Sequence, residues 1–164
     1  TDTSFIEVGS WKGGVSGLVA LKNKDKDVDY FVCDTFTGVV NSSEKDTFFK
    51  DTEYSDASVD DVKEVETIVG KKFNIVEGIF PNSFKKIELN KPISFAHIDV
   101  DTYISAKESL YYILKNSHKG AMVILDDYGG WFTDGVTKFG NELKLNKDLV
   151  VIPNHLGQLI IYKL

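Results

Sequence analysis

One pattern constrains this chain more than any other: short apolar runs rich in β-branched and aromatic residues alternate with longer amphipathic or polar segments through most of its length. Runs that short and that uniformly apolar suit strands covered on both faces, and their alternation with helix-length segments is the signature of βα units around a mainly parallel sheet. Strands are expected over Ser4–Val8, Tyr30–Cys33, Phe73–Val76, Ile93–Ile98, Ala121–Leu125, Leu149–Ile152 and Leu159–Tyr162. Helices fit Val15–Lys22, Val59–Val69 with Ser58 as N-cap, Ser83–Lys86, Tyr103–Lys115 and Asp134–Leu145. Only Pro153-Asn154-His155-Leu156-Gly157 separates the last two strands, which is too short for a crossover, so they are expected to pair as an antiparallel hairpin at one edge. The expected fold is therefore α/β and doubly wound: a seven-stranded, mostly parallel sheet with helices on both faces and an antiparallel C-terminal hairpin.

With 164 residues and 42% hydrophobic composition, the chain suits a single domain spanning 1–164. Its net charge is −6 and all 19 basic residues are Lys, so it has no basic stripe to follow a phosphate backbone, and nucleic acid is not the expected partner. The absence of Arg also removes bidentate clamps for anions, leaving Lys, backbone amides or a metal for that task. No run approaches the roughly 18–20 apolar residues that a membrane span requires. The single cysteine, Cys33, lies in the apolar run Tyr30-Phe31-Val32-Cys33 and reads as a core residue in a reducing, cytoplasmic setting. Thr37–Ala57 departs from the pattern, being polar with only Phe48-Phe49 to pack; a loop of that length in a compact domain is usually functional or mobile. The sequence starts almost on its first strand, so an N-terminal cap or lid region is expected to be absent.

Three constellations carry chemistry. Glu7-Val8-Gly9-Ser10-Trp11-Lys12-Gly13-Gly14 runs from a strand into a helix, where glycines let the backbone approach a ligand and the helix start offers free amides. The spacing is not the G-x-G-x-x-G dinucleotide fingerprint, and a purely structural tight turn is its plain alternative. Asp34 directly follows the second strand, 25 residues beyond Gly9, close to the interval expected of an acid that accepts from ribose hydroxyls. Without a phosphate cradle, the pair suits a sulfonium cofactor better than NAD. The strongest signal is Ile98-Asp99-Val100-Asp101 at the end of one strand and Ile124-Leu125-Asp126-Asp127 at the end of the next. Neighbouring parallel strands lie about 4.8 Å apart, so these acids crowd at one edge, and their repulsion calls for a proton or a cation. Oxygen ligands without Cys favour Mg²⁺, Mn²⁺ or Ca²⁺ over zinc.

Of the histidines, His97 shares the strand side of Asp99 and reads as a packed supporting residue, His118 as a helix C-terminal residue, and His155 as part of the final turn. Trp11 and Trp131 each suit either stacking on a ligand or ordinary aromatic packing.

Taken in order, the glycine-turn motif, Cys33-Asp34-Thr35-Phe36-Thr37-Gly38, Glu77-Gly78-Ile79-Phe80-Pro81, Ile98-Asp99-Val100-Asp101-Thr102-Tyr103, Ile124-Leu125-Asp126-Asp127-Tyr128-Gly129 and Gly157-Gln158 resemble the motifs of the macrocin O-methyltransferase family. These are Rossmann-like class I, metal-dependent enzymes that methylate sugar hydroxyls. The resemblance implies S-adenosyl-L-methionine against Gly9, Ser10 and Gly13, its ribose on Asp34, Glu7 supporting the pocket, and Gly78 and Ile79 near the adenine. It likewise implies a divalent metal, Mg²⁺ or else Mn²⁺ or Ca²⁺, on Asp99, Asp126 and Asp127, with Asp101 as general base. The implied acceptor is a small-molecule hydroxyl on a sugar or glycoside, and the implied assembly a homodimer. Family members carry an N-terminal helical region that is expected to be missing here, and Thr37–Ala57 corresponds to their variable lid. Rival readings are a catechol or caffeoyl-CoA type methyltransferase, a nicotinamide dehydrogenase, and a noncatalytic module that keeps the cofactor pocket.

Overall fold

A computed structural model describes residues 3–164. Its elements follow in the order β1 (Thr3–Val8), α1 (Gly14–Lys22), β2 (Val28–Asp34), α2 (Val59–Val69), β3 (Phe73–Glu77), β4 (Ile93–Ile98), α3 (Tyr103–Lys115), β5 (Ser117–Leu125), α4 (Asp134–Leu143), β6 (Leu149–Pro153) and β7 (Leu159–Lys163). One seven-stranded sheet has the order β3-β2-β1-β4-β5-β7-β6. The first five strands are mutually parallel, while β7 runs antiparallel to both β5 and β6. The expected Rossmann-like sheet and its antiparallel C-terminal strands are therefore present.

Side-chain alternation along the strands divides the core in two. Ile6, Val8, Ala96, Ile98, Val123, Leu125 and Ile161 point toward α3 and α4 and meet Leu110, Ile113, Phe139 and Leu143, all almost fully buried. On the other face Phe5, Tyr30 and Val32 pack with Ala20 of α1 and with Val62 and Val69 of α2. Each such side chain contributes about 1.5–3 kcal/mol relative to exposure. Cys33 lies at 0% exposure on the first face, a core residue as expected.

Local sequence chemistry sets the element ends. Ser58 caps α2 in a reciprocal capping box with Asp61, and Gly70 closes the same helix in the left-handed region. The helix expected over Ser83–Lys86 does not form. That stretch is a series of turns with Ser83 N donating to Ile79 O and Phe84 N to Pro81 O, pinned by the buried Phe84. Four residues cannot repay helix nucleation when one buried ring already fixes the segment. β5 starts four residues earlier than expected, at Ser117, so His118, just behind α3, sits exposed at the strand start.

The strand order reverses on either side of β1, since β1 pairs with β2 on one side and β4 on the other. Ligands of open α/β sheets bind beyond the strand C-termini at such a switch point. The ends of β1, β2, β4 and β5 gather there.

Candidate active site

A cavity of about 350 Å³ opens at this edge, lined among others by Gly9, Asp34, Gly78, Ile79, Asp99, Asp101 and Asp127. From the glycine turn, Gly9 and Trp11 line it, while Ser10 and Gly13 lie outside the lining. Gly9 has φ +80°, and a Cβ there would sit 1.7 Å from the carbonyl oxygen of Asp99, so this turn and the β4 end fit together only with glycine. Gly13, at φ +81°, is the N-cap of α1. Ser10 is buried and does not line the cavity; its Oγ has no hydrogen-bond partner among the described residues. Asp34 accepts from Trp11 N at 2.7 Å through one oxygen and from Phe36 N at 2.8 Å through the other, which fixes the carboxylate at the cavity wall.

Glu7 lies behind this turn at 1% exposure and does not line the cavity. One of its oxygens accepts from the backbone N–H (3.0 Å) and the hydroxyl of Ser16 in the first turn of α1; the other lies 3.1 Å from Nδ1 of His97. His97 Nε2 in turn lies 3.2 Å from Asp126 Oδ2. Asp126 Oδ2 also accepts from Gln158 Nε2 at 3.1 Å, and its Oδ1 from Asp127 N at 3.0 Å. The sequence pattern alone assigned no such bridge. Its signal was the shared strand side of Glu7, His97 and Asp99, legible only once β1 and β4 are known to be neighbours.

The four strand-end aspartates converge as expected. Burial pushes Asp99 well above the usual carboxylate range, and the neighbouring Asp127 and Asp126 push it further. Burial and then Asp127 raise Asp101 to about 7. Asp127 is raised by burial and by Asp126. Burial would raise Asp126 too, but the donors His97 and Gln158 outweigh it and hold this carboxyl low. For His97, burial disfavours charge, yet Asp126 and Glu7 overcome it and carry the imidazolium up to about 10. One ligand atom each of His97, Asp99 and Asp126 lies within 4.8 Å of the others. Asp101 and Asp127 adopt φ of 61° and 65°, a left-handed backbone that side chains other than glycine rarely take. Such strain gathers where the surrounding structure holds a side chain in place.

The polar segment over 37–57 forms the cavity's outer wall and is firmly tied. Asp46, 4% exposed, accepts from Tyr103 N at 2.9 Å and so caps α3, whose N-cap Thr102 makes no side-chain cap of its own. Its other oxygen accepts from Ser43 N and Ser43 Oγ. Thr102 Oγ1 donates to Val40 O, and Thr47 N to Asp134 at the start of α4. Trp11 Nε1 and Lys12 both reach Asp56 at 2.9 Å, linking this segment's end region to the glycine turn. A rim of rings, Phe48, Phe49, Trp131 and Phe132, packs edge to face with centroids 5.3–6.3 Å apart. Trp131 is 79% exposed at its edge; Phe132 and the half-exposed Tyr54 line the cavity. His155 is exposed in the turn between β6 and β7.

A Rossmann-like sheet whose switch-point edge carries a glycine turn, a strand-end acid and clustered aspartates is the architecture of a class I methyltransferase. The model of the macrocin O-methyltransferase (TylF) family matches residues 2–157, and the chain belongs to that family of S-adenosylmethionine-dependent O-methyltransferases. No curated protein sequence matches it. Among solved structures, it is similar to the calicheamicin methyltransferase CalS11, with TM-score 0.77 and 18% identity over 98% of this chain and 72% of that one. The O-methyltransferase NovP gives TM-score 0.72 and 18% identity, covering 98% and 71%. An O-methyltransferase from Bacillus cereus, solved with S-adenosylhomocysteine, gives 0.66 and 14%, covering 98% and 73%. Likeness at these identities is likeness of fold.

Proposed function

We propose that this enzyme transfers a methyl group from S-adenosylmethionine to one hydroxyl of a diol on a sugar or glycosylated small molecule, with a divalent cation at the strand-end aspartates. The observation that carries the reading is the crowding of Asp99, Asp101, Asp126 and Asp127 where β4 and β5 end, beside the glycine turn and Asp34. The donor set fits a hard cation: half-buried oxygen ligands, with Asp99 and Asp127 held above the carboxylate range by burial and then by neighbouring carboxylates. Asp99, Asp126 and Asp127 would hold Mg²⁺, Mn²⁺ or Ca²⁺, which when bound lowers the pKa of an acceptor hydroxyl and orients it. The cofactor site fits as well, since Gly9 leaves no room for a side chain, Ser10 Oγ lacks a partner and Asp34 is fixed at the wall. In this reading Gly9, Ser10 and Gly13 shape the backbone against the cofactor, Glu7 holds that turn from behind, and Gly78 and Ile79 cover the adenine end.

Asp101 is the base. Raised to about 7, it is about half ionised in neutral solution and basic enough to accept a proton. As the acceptor oxygen bonds the methyl carbon and the carbon–sulfur bond breaks, the hydroxyl proton passes to the Asp101 carboxylate and S-adenosylhomocysteine leaves. The segment over 37–57 and the aromatic rim keep water from the reacting atoms. Asp101→Asn is expected to abolish turnover while the affinity for S-adenosylhomocysteine, read by calorimetry, stays unchanged. Retained turnover removes Asp101 from the role.

The ring-lined rim favours a second reading, an aromatic diol of the catechol type as acceptor. Parallel transfer assays with catechols and with glycosides separate the two. A small-molecule acceptor in a cytoplasmic setting is supported by the charge of −6, the lack of Arg and the unpaired Cys33. No helix among the described residues is long and apolar enough to cross a membrane.

A further inference from the structure

Behind the cavity floor, one side chain joins the two halves of the site. His97 is 4% exposed and lies in register with Glu7 on β1 and with Ile124 on β5, so Glu7, His97 and Asp126, two residues past Ile124, share one face of the sheet. Its Nδ1 is 3.1 Å from Glu7 Oε1 and its Nε2 is 3.2 Å from Asp126 Oδ2. Both contacts are within hydrogen-bond reach, so the ring is clamped between the two carboxylates. Glu7 cannot turn away, because its second oxygen is held by the backbone and hydroxyl of Ser16. Asp126 is held in turn by His97, by Gln158 and by Asp127 N.

We propose that His97 is the positioning residue of the metal centre: anchored on Glu7, it fixes the Asp126 carboxylate in its ligating orientation. The inference rests on the metal reading above and goes further, assigning the work of a residue that does not line the cavity. It also explains why Glu7 is buried in ionic company, since the strand that carries the glycine turn and the strand end that carries Asp126 are thereby held at a fixed spacing. His97 supports the metal site and does not itself ligate, because both nitrogens already face carboxylates.

The test titrates Mn²⁺ into the protein saturated with S-adenosylhomocysteine, reading free Mn²⁺ by electron paramagnetic resonance. His97→Leu is expected to weaken Mn²⁺ binding about 10–100-fold, the range for partners that orient metal ligands. Its affinity for S-adenosylhomocysteine should stay near that of the wild type. His97→Gln, which keeps an N–H able to reach Asp126 but cannot satisfy both carboxylates, should recover part of the loss. If His97→Leu does not fold, His97→Gln decides alone: measurably weaker Mn²⁺ binding than wild type supports the role, and equal binding overturns it. Undiminished Mn²⁺ affinity in His97→Leu overturns the proposal, as does a spin-echo signal from nitrogen bonded directly to Mn²⁺ in the wild type, which would make His97 a ligand. A wild-type protein that binds S-adenosylhomocysteine but no Mn²⁺ overturns the metal reading itself, an outcome distinct from the others.

Discussion

Two residues at the site show how narrowly single positions are constrained. Gly9 faces the Asp99 carbonyl so closely that Gly9→Ala must displace either the turn or the end of β4, and its φ of +80° adds backbone strain. A loss of about 3 kcal/mol or more is expected in urea unfolding, with the S-adenosylhomocysteine site lost as well. Asp101 ties rate and stability to pH in opposite ways. Its carboxyl, raised to about 7 by burial and Asp127, is an active base only when ionised, so kcat/KM should rise with pH through about 7. The folded state holds this proton more tightly than the unfolded chain does. Ionisation therefore costs stability as pH climbs from 3.8, the ordinary value of an aspartate, to about 7, and the cost persists above that window. In metal-free protein, Asp101→Asn should thus melt higher than wild type at pH 8 and much the same below pH 4. A wild-type advantage at pH 8 would contradict the burial argument. Asp99, Asp101, Asp126 and Asp127 were all legible in the sequence because each pair closes an apolar run. The bridging of His97 was not, because its partners are 90 and 29 residues away in sequence.

Among the elements, α2 and α3 differ in what the local sequence decides. Ser58 and Asp61 cap α2 within one turn, so its start could be read from adjacent residues. The cap of α3 comes from Asp46, 57 residues before Tyr103, and the same carboxylate packs against Gly135 at the start of α4. What reads in the sequence as a polar stretch, functional or mobile, is thus a strap across two helix starts. Asp46→Ala leaves the Tyr103 N–H buried without a partner and releases Ser43, loosening the segment whose Val39 and Val40 line the cavity. A destabilisation of about 1–3 kcal/mol is expected, together with a raised KM for the acceptor and little change in S-adenosylhomocysteine affinity. Unchanged acceptor KM in a folded variant would detach the strap from the site. The short helix expected over Ser83–Lys86 failed for the converse reason: its four residues carry helix-compatible types, but the buried Phe84 fixes the chain as turns.

For the molecule as a whole, ligands that bind only the folded state must stabilise it. S-adenosylhomocysteine at a hundred times its Kd is expected to add about 2.7 kcal/mol, or roughly 5–10 °C in Tm for a chain of this size. Mn²⁺ should add a further increment that EDTA removes, and a Tm indifferent to Mn²⁺ would count against a cation at the aspartates. The sequence by itself determined the sheet: strand and helix periods, the polar turn between the last two strands and the acids closing each apolar run are local properties, legible from neighbouring residues. It also placed the glycine turn, Asp34 and the aspartate pairs at one edge, because parallel strands must all end on the same side. Only the tertiary structure decided that β1 lies between β2 and β4, and with it that Glu7 meets His97, that His97 meets Asp126, and that Asp46 caps α3. Those contacts join residues far apart in the chain, and strand order and packing, which no local pattern encodes, bring them together.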